Sequence, residues 1–172
     1  MTLPTSGQIT WAMIRDEFGG TNPIYINQYY RGGARVPNSV PNENVPTSGQ
    51  ISASQFYGAR NYINVSGSAT GGTTSYNLGA PSTPSTRSMS TTASATASGG
   101  TGSYTYTWSI TNWGGISGVP TISGGGSSIT VAADAMLNEL SFVDVRCIIS
   151  DGVSSVSLTA TCHYDYHNNS HL

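Results

Sequence analysis

The chain has 172 residues, of which only 8% are charged, with a net charge of −2 and no lysine among its six basic residues. Ordinary soluble domains carry roughly 25% charged residues, so Ser, Thr, Asn and Gly must supply the polar surface here, and nothing offers an electrostatic footprint for nucleic acid or an anionic membrane. Ten Tyr, three Trp and three Phe argue for a folded chain rather than a disordered one.

The opening "MTLPTSGQ" lacks the basic start and apolar run of a secretion signal, and no apolar stretch is long enough to span a bilayer. The first predicted elements rest on a phrase written twice, "PTSGQIT" at Pro4–Thr10 and "PTSGQIS" at Pro46–Ser52. Aligning Ile9, Ile24 and Ile51 brings Ile14, Tyr29 and Phe56 into one column, with glycines trailing at Gly19–Gly20, Gly32–Gly33 and Gly58. Thr10 and Ser52 are placed to cap a helix with a side-chain oxygen. The isoleucine ahead of each cap can fold onto Met13 or Phe56 as a hydrophobic staple, and the glycine supplies the left-handed residue that stops the helix. Each unit should therefore be a helix of one to three turns, too short to be stable alone.

Between the second and third units, "GGARVPNSVPNENVP", with Pro37, Pro41 and Pro46, reads as an extended strap. Trp11, Ile14, Phe18, Tyr29, Tyr30, Phe56 and Tyr57 must bury their side chains somewhere. Two destinations are open: a compact helical subdomain, or a partner protein on which residues 1–60 dock. The docking segment is the reading carried forward.

From about Tyr62 the texture changes to alternation punctuated by Gly and Ser turns. "SMSTTASATAS" (Ser88–Ser98) predicts a strand with small inward residues, and "GGTGSYTYTWSI" a glycine turn and a strand bearing Tyr104, Tyr106 and Trp108. "GGGSSITVAA" gives another turn and strand. In "SFVDVRCIISDG", Val143, Val145, Cys147 and Ile149 share one face; "VSSVSLTATCHY" turns Val156, Leu158, Ala160 and Cys162 inward. Short strands with period-2 patterning predict an antiparallel β-sandwich over residues 61–166. A turn near Asp151–Ser155 sets Cys147 opposite Leu158, which leaves Cys162 roughly 14 Å along the strand. That is beyond disulfide reach, and two buried free thiols are expected.

No nucleophile elbow, phosphate loop, CxxC pair or HExxH helix occurs, so neither an enzyme nor a cofactor is expected. Asp16–Glu17 reads as a solvated face rather than an acid–base couple. His163, His167 and His171 are spaced by four, and three imidazoles suit a transition metal, above all about a threefold axis between copies. Against that, residues 167–172 are a polar end of the kind that frays, and a tail without metal is the preferred reading. Tyr76, Trp113 and Tyr166, placed in loops or at strand ends, are candidates for stacking on a host surface polysaccharide; the alternative is that they fill the ends of the sandwich.

Two resemblances follow from these residues. "LPTSGQIT…IRDEFGGTNPI…YYRGGARVP…NVPTSGQIS…QFYGA" over residues 3–60 resembles a segment recurrent in structural proteins of tailed bacteriophages, notably tail and fibre proteins. That resemblance implies a virion component, assembled in the host bacterial cytoplasm among other virion proteins, as a trimer or hexamer. Capsid decoration and a glycan-binding adhesin module are the alternatives. "GGTGSYTYTWSI" and "VRCIISDG" resemble bacterial immunoglobulin-like modules, including the PKD type, which implies that Trp108 is the core tryptophan. The chain departs from antibody-type domains in lacking a cysteine on the 88–98 strand and in placing Val145 where a corner tyrosine is expected.

Overall fold

In the computed structural model, which describes residues 2–78 and 84–168, the two copies of the repeated phrase make the same pair of contacts in different places. The Pro46 carbonyl accepts the Arg31 N–H at 3.0 Å, and the Gly49 carbonyl accepts the Tyr30 hydroxyl at 2.5 Å. The Pro4 carbonyl accepts the Gly58 N–H at 3.0 Å, and the Gly7 carbonyl accepts the Tyr57 hydroxyl at 2.5 Å. Each phrase is thus a bracket that grips an aromatic pair, Tyr29–Tyr30 or Phe56–Tyr57. The first ring of each pair goes into the core and the second ring's hydroxyl closes the bracket. Gly7 and Gly49 hold φ of +88° and +81°, a bend that residues with a side chain rarely adopt.

The chain divides into two compact units. Residues up to Asn64, with Gly99–Gly102, form the first; Val65–Ser98 and the residues from Ser103 onward form the second. In the first unit, the helix α1 (Trp11–Phe18) is capped by Thr10, whose Oγ1 accepts the Met13 N–H at 3.3 Å. The second and third repeats form only 3-10 turns, Ile26–Tyr29 and Ala53–Phe56, and Ser52 receives the Gln55 side chain on its own N–H at 2.7 Å. The strap is not simply extended. A further 3-10 turn, Val40–Asn42, buries Asn42, whose Nδ2 donates to the Pro37 and Arg60 carbonyls while its Oδ1 accepts the Arg60 N–H. A buried amide with its partners in place pins the strap more firmly than prolines alone could.

Among the described residues the second unit has eight strands: β1 (Ser66–Gly71), β2 (Thr73–Leu78), β3 (Thr86–Ser98), β4 (Thr105–Gly114), β5 (Ile116–Gly125), β6 (Ser128–Met136), β7 (Ser141–Ser150) and β8 (Ser155–Asn168). They form two four-stranded sheets, β1-β3-β6-β5 and β2-β8-β7-β4. All neighbours are antiparallel except β2, which runs parallel to β8. Val131, Ala133 and Ala135 from the first sheet and Val143, Val145 and Cys162 from the second share one buried core. The chain is mainly β. Three strands were not anticipated: β1 and β2 turn only single apolar residues, Ala69 and Leu78, toward the core, and β5 interrupts Ile116 and Ile122 with Gly and Pro.

The passage from β1 to β2 takes the chain from one sheet to the other within two glycines. A Cβ at Gly71 would meet the Thr161 carbonyl oxygen at 2.0 Å, so a side chain there would push the strand off β8. The β7–β8 register is the expected one, with Cys147 opposite Leu158 and Ile149 opposite Val156. Both thiols are free and buried.

Candidate functional site

Of the residues expected to dock on a partner, Ile14, Phe18, Tyr29 and Phe56 are 5% exposed or less. They form a core with Leu3, Val36, Val45 and Ala59. Trp11, half-buried, meets Tyr29 and Phe56 edge-on at ring-centroid distances of 6.3 and 5.7 Å, and Phe18 meets Phe56 at 6.1 Å. Tyr30 and Tyr57 are half-buried and engaged in the two brackets. Ile14, Phe18, Tyr29 and Phe56 therefore find their burial within the chain itself, as in the compact-subdomain alternative, while Trp11, Tyr30 and Tyr57 keep part of their surface exposed. The same hydrophobicity that suits them to an interface has closed the unit's own interior, and no face of Ile14, Tyr29 or Phe56 remains for a neighbour. The large apolar residues left exposed on this unit are Tyr25, Ile26, Val40 and Ile63, none of which the sequence reading singled out.

The three candidate sugar-stacking aromatics lie within strands, each one or two residues from the strand's last residue, and do not form one platform. Tyr166 is buried and donates its hydroxyl to the Pro84 carbonyl at 2.8 Å. Tyr76 pairs with Tyr166 across β2 and β8, and the Arg87 guanidinium caps its ring 3.2 Å from the centroid. Trp113 sits on β4, the opposite edge of the same sheet. Arg87 thereby covers one face of the Tyr76 ring. Trp108 is half-buried, packs on two buried clusters and donates Nε1–H to the Gly126 carbonyl at 2.9 Å.

His163 and His167 lie on β8, so His167 and Asn168, expected in a polar tail, belong to a strand. His167 Nδ1 is 3.0 Å from Asp165 Oδ1. His171 lies outside the described residues. Among the described residues no group of three or more His, Cys, Asp and Glu is placed to hold a metal. Burial pushes the Cys147 and Cys162 thiols and the Tyr164 phenol upward, which keeps them protonated and poor nucleophiles.

A cleft that the sequence reading missed opens on the first sheet. Asp134 on β6 lies between Ser88 on β3 and Ser117 on β5, and Ala132 lies between Ser90 and Thr121. From Ser117 to Thr121 the β5–β6 register slips, and Val119 swings outward. The space left is about 210 Å3, lined by Ser88, Met89, Val119, Thr121 and Asp134 among others. The available signal was "SGVPT": glycine and proline inside a strand mark a bulge. No family model, curated protein or solved structure matches the chain.

Proposed function

We propose that this chain is a structural component of a tailed-phage particle, belonging to a tail, fibre or appendage, in which the first unit attaches to neighbouring virion proteins and the second is displayed as an Ig-like domain. The observation that carries the reading is the ordered set "EFGGTNPI", "YYRGG" and "PTSGQIS" within 60 residues, which resembles segments of phage tail and fibre proteins. The two brackets support it by giving the repeated phrase and the aromatic pairs one shared structural purpose. For the second unit, the orders β1-β3-β6-β5 and β2-β8-β7-β4 correspond to A-B-E-D and to C-F-G with one strand added beside G. Trp108 then takes the place of the strand C tryptophan. A hydroxyl-rich surface with few long charged side chains suits close symmetric packing, since little side-chain entropy is lost on contact.

Attachment falls to Tyr25, Ile26, Val40 and Ile63, the large apolar side chains that the described residues of this unit leave exposed. The test is the full chain carrying Ile26→Asp and Val40→Asp, with its amount in purified particles measured by mass spectrometry. Strong loss from the particle with an unchanged fold is expected. Absence of the unaltered chain from particles purified out of its own host would overturn the assignment. Copy number decides the address: about three or six, or a small multiple, for a tail or fibre, and on the order of hundreds for a capsid decoration protein, the alternative reading.

A further inference from the structure

We propose that the cleft at the β5 bulge binds a single neutral pyranose ring, gripped by Asp134, Ser88 and Thr121 beside the apolar side chains of Val119 and Ala132. This reading concerns the second unit alone and stands whether or not the chain belongs to a virion. The cleft, at about 210 Å3, is smaller than the roughly 300–1,000 Å3 that takes a drug-sized ligand, and suits one six-membered ring with its substituents.

The lining matches the two sides of such a ring. A pyranose presents hydroxyls around its rim, each able to donate and accept, and C–H groups on its faces. The ionised Asp134 carboxylate accepts only. Its Oδ1 takes the Ser88 hydroxyl, and Oδ2 is left to receive a ligand hydroxyl in a charge-assisted bond. The Ser88 and Thr121 oxygens have lone pairs to accept from neighbouring hydroxyls. Val119, 76% exposed, and Ala132, which lies opposite Thr121, offer apolar contact to the ring face.

Other chemistries fit less well. A phosphate or carboxylate would meet Asp134 with no cation in the lining. A metal would find one carboxylate where hard cations want several oxygens. A wholly apolar ligand would desolvate Asp134 without replacing its partners. Beyond the cleft, Ser90 and Thr92 continue the outward row of β3 opposite Ala132 and Thr130, so a longer neutral chain running along the strand meets hydroxyls and no charge. Without an aromatic platform the affinity per site is weak, about millimolar, and many copies on one body would raise it by avidity.

The experiment is a titration of the isotope-labelled full chain, followed by amide and methyl NMR, with methyl α-D-glucopyranoside, methyl α-D-mannopyranoside, N-acetylglucosamine and glucuronic acid. Saturable shifts at Ser88, Val119, Thr121 and Asp134 are expected with at least one neutral sugar, and weaker ones with the acid. Asp134→Asn should weaken the neutral sugar by about tenfold and remove the discrimination against glucuronic acid. Thr121→Val should weaken binding severalfold, and Trp113→Ala should leave it unchanged. Spectra that match the parent outside the cleft establish that each variant folds. The proposal is overturned by the absence of saturable shifts with all three neutral sugars at roughly 50 mM, well above a millimolar Kd. Shifts centred on Tyr76 or Trp113, or glucuronic acid bound as tightly as the neutral sugars, overturn it equally.

Discussion

In the first unit the largest fully buried side chains are Tyr29, Phe56 and Ile14, carried on a two-turn helix and short 3-10 turns. In the second, most inward positions hold Val, Ala, Ile or Cys on long strands. The contrast follows from where the backbone finds its hydrogen bonds. Strand ladders pair the peptide groups that face a neighbouring strand, so small side chains suffice for most of the space between sheets. The first unit has almost no ladder. There Tyr29 donates to the Gly19 carbonyl, Tyr30 to Gly49, Tyr57 to Gly7, and Asn42 to Pro37 and Arg60. A tyrosine in such a unit fills volume and caps backbone at once; in the second unit Tyr164 and Tyr166 do the same near the end of β8, donating to the Val131 and Pro84 carbonyls.

The sharpest way to break this contrast is to empty each core in turn. Phe56→Ala removes a ring that touches two others, and should cost the first unit about 3–5 kcal/mol. Ile149→Ala should cost the second about 2–5 kcal/mol. Urea unfolding resolved by residue-specific NMR signals should assign each loss to its own unit; a loss shared equally between them would show that they fold as one.

A second expectation concerns alkali, which should act on the second unit. Burial raises the Cys147 and Cys162 thiols above their ordinary 9.0 and the Tyr164 phenol above its ordinary 10.0. Each group therefore holds its proton more tightly when folded, so the unfolded state binds fewer protons once pH passes about 9. Stability is full below that point and declines as pH rises through the folded pKa values. Replacing both cysteines with Ala should flatten the alkaline limb of a stability–pH curve, and an unchanged limb would contradict the burial.

The smallest effect is the most pointed. Tyr30→Phe and Tyr57→Phe each delete one hydroxyl-to-carbonyl bond, at about 1 kcal/mol apiece. If the brackets are equivalent, the two losses should agree within about 0.5 kcal/mol. A large difference would mean that one copy of the phrase is incidental.

Much of the second unit was legible because burial on one side writes a period of two into the sequence, as at Val143, Val145, Cys147 and Ile149, all fully buried. The hairpin register could be counted from the turn at Asp151. Strands β1, β2 and β5 left no such trace, since among these edge strands only Pro120 is fully buried and Gly and Pro are tolerated. In the first unit the cap at Thr10 was readable because its partner is three residues away. The brackets were not, because Gly7 and Tyr57 are 50 positions apart. Nor does hydrophobicity say whose surface will cover a side chain. Trp11, Tyr29 and Phe56 carry the same signal in an interface as in a core, and only the fold decides between them. The cleft at Asp134 depends on a register slip, which a lone glycine and proline hint at but do not position.

The crossing from β1 to β2 has a mechanical consequence. Because β2 lies parallel to β8, tension applied at Val65 and beyond Asn168 drags these two strands past one another lengthwise. The six pairings from Thr73–His163 to Leu78–Asn168 are then loaded simultaneously in shear instead of being peeled open singly. A body joined in this way resists stretching far better than an equally stable one whose end strands unzip.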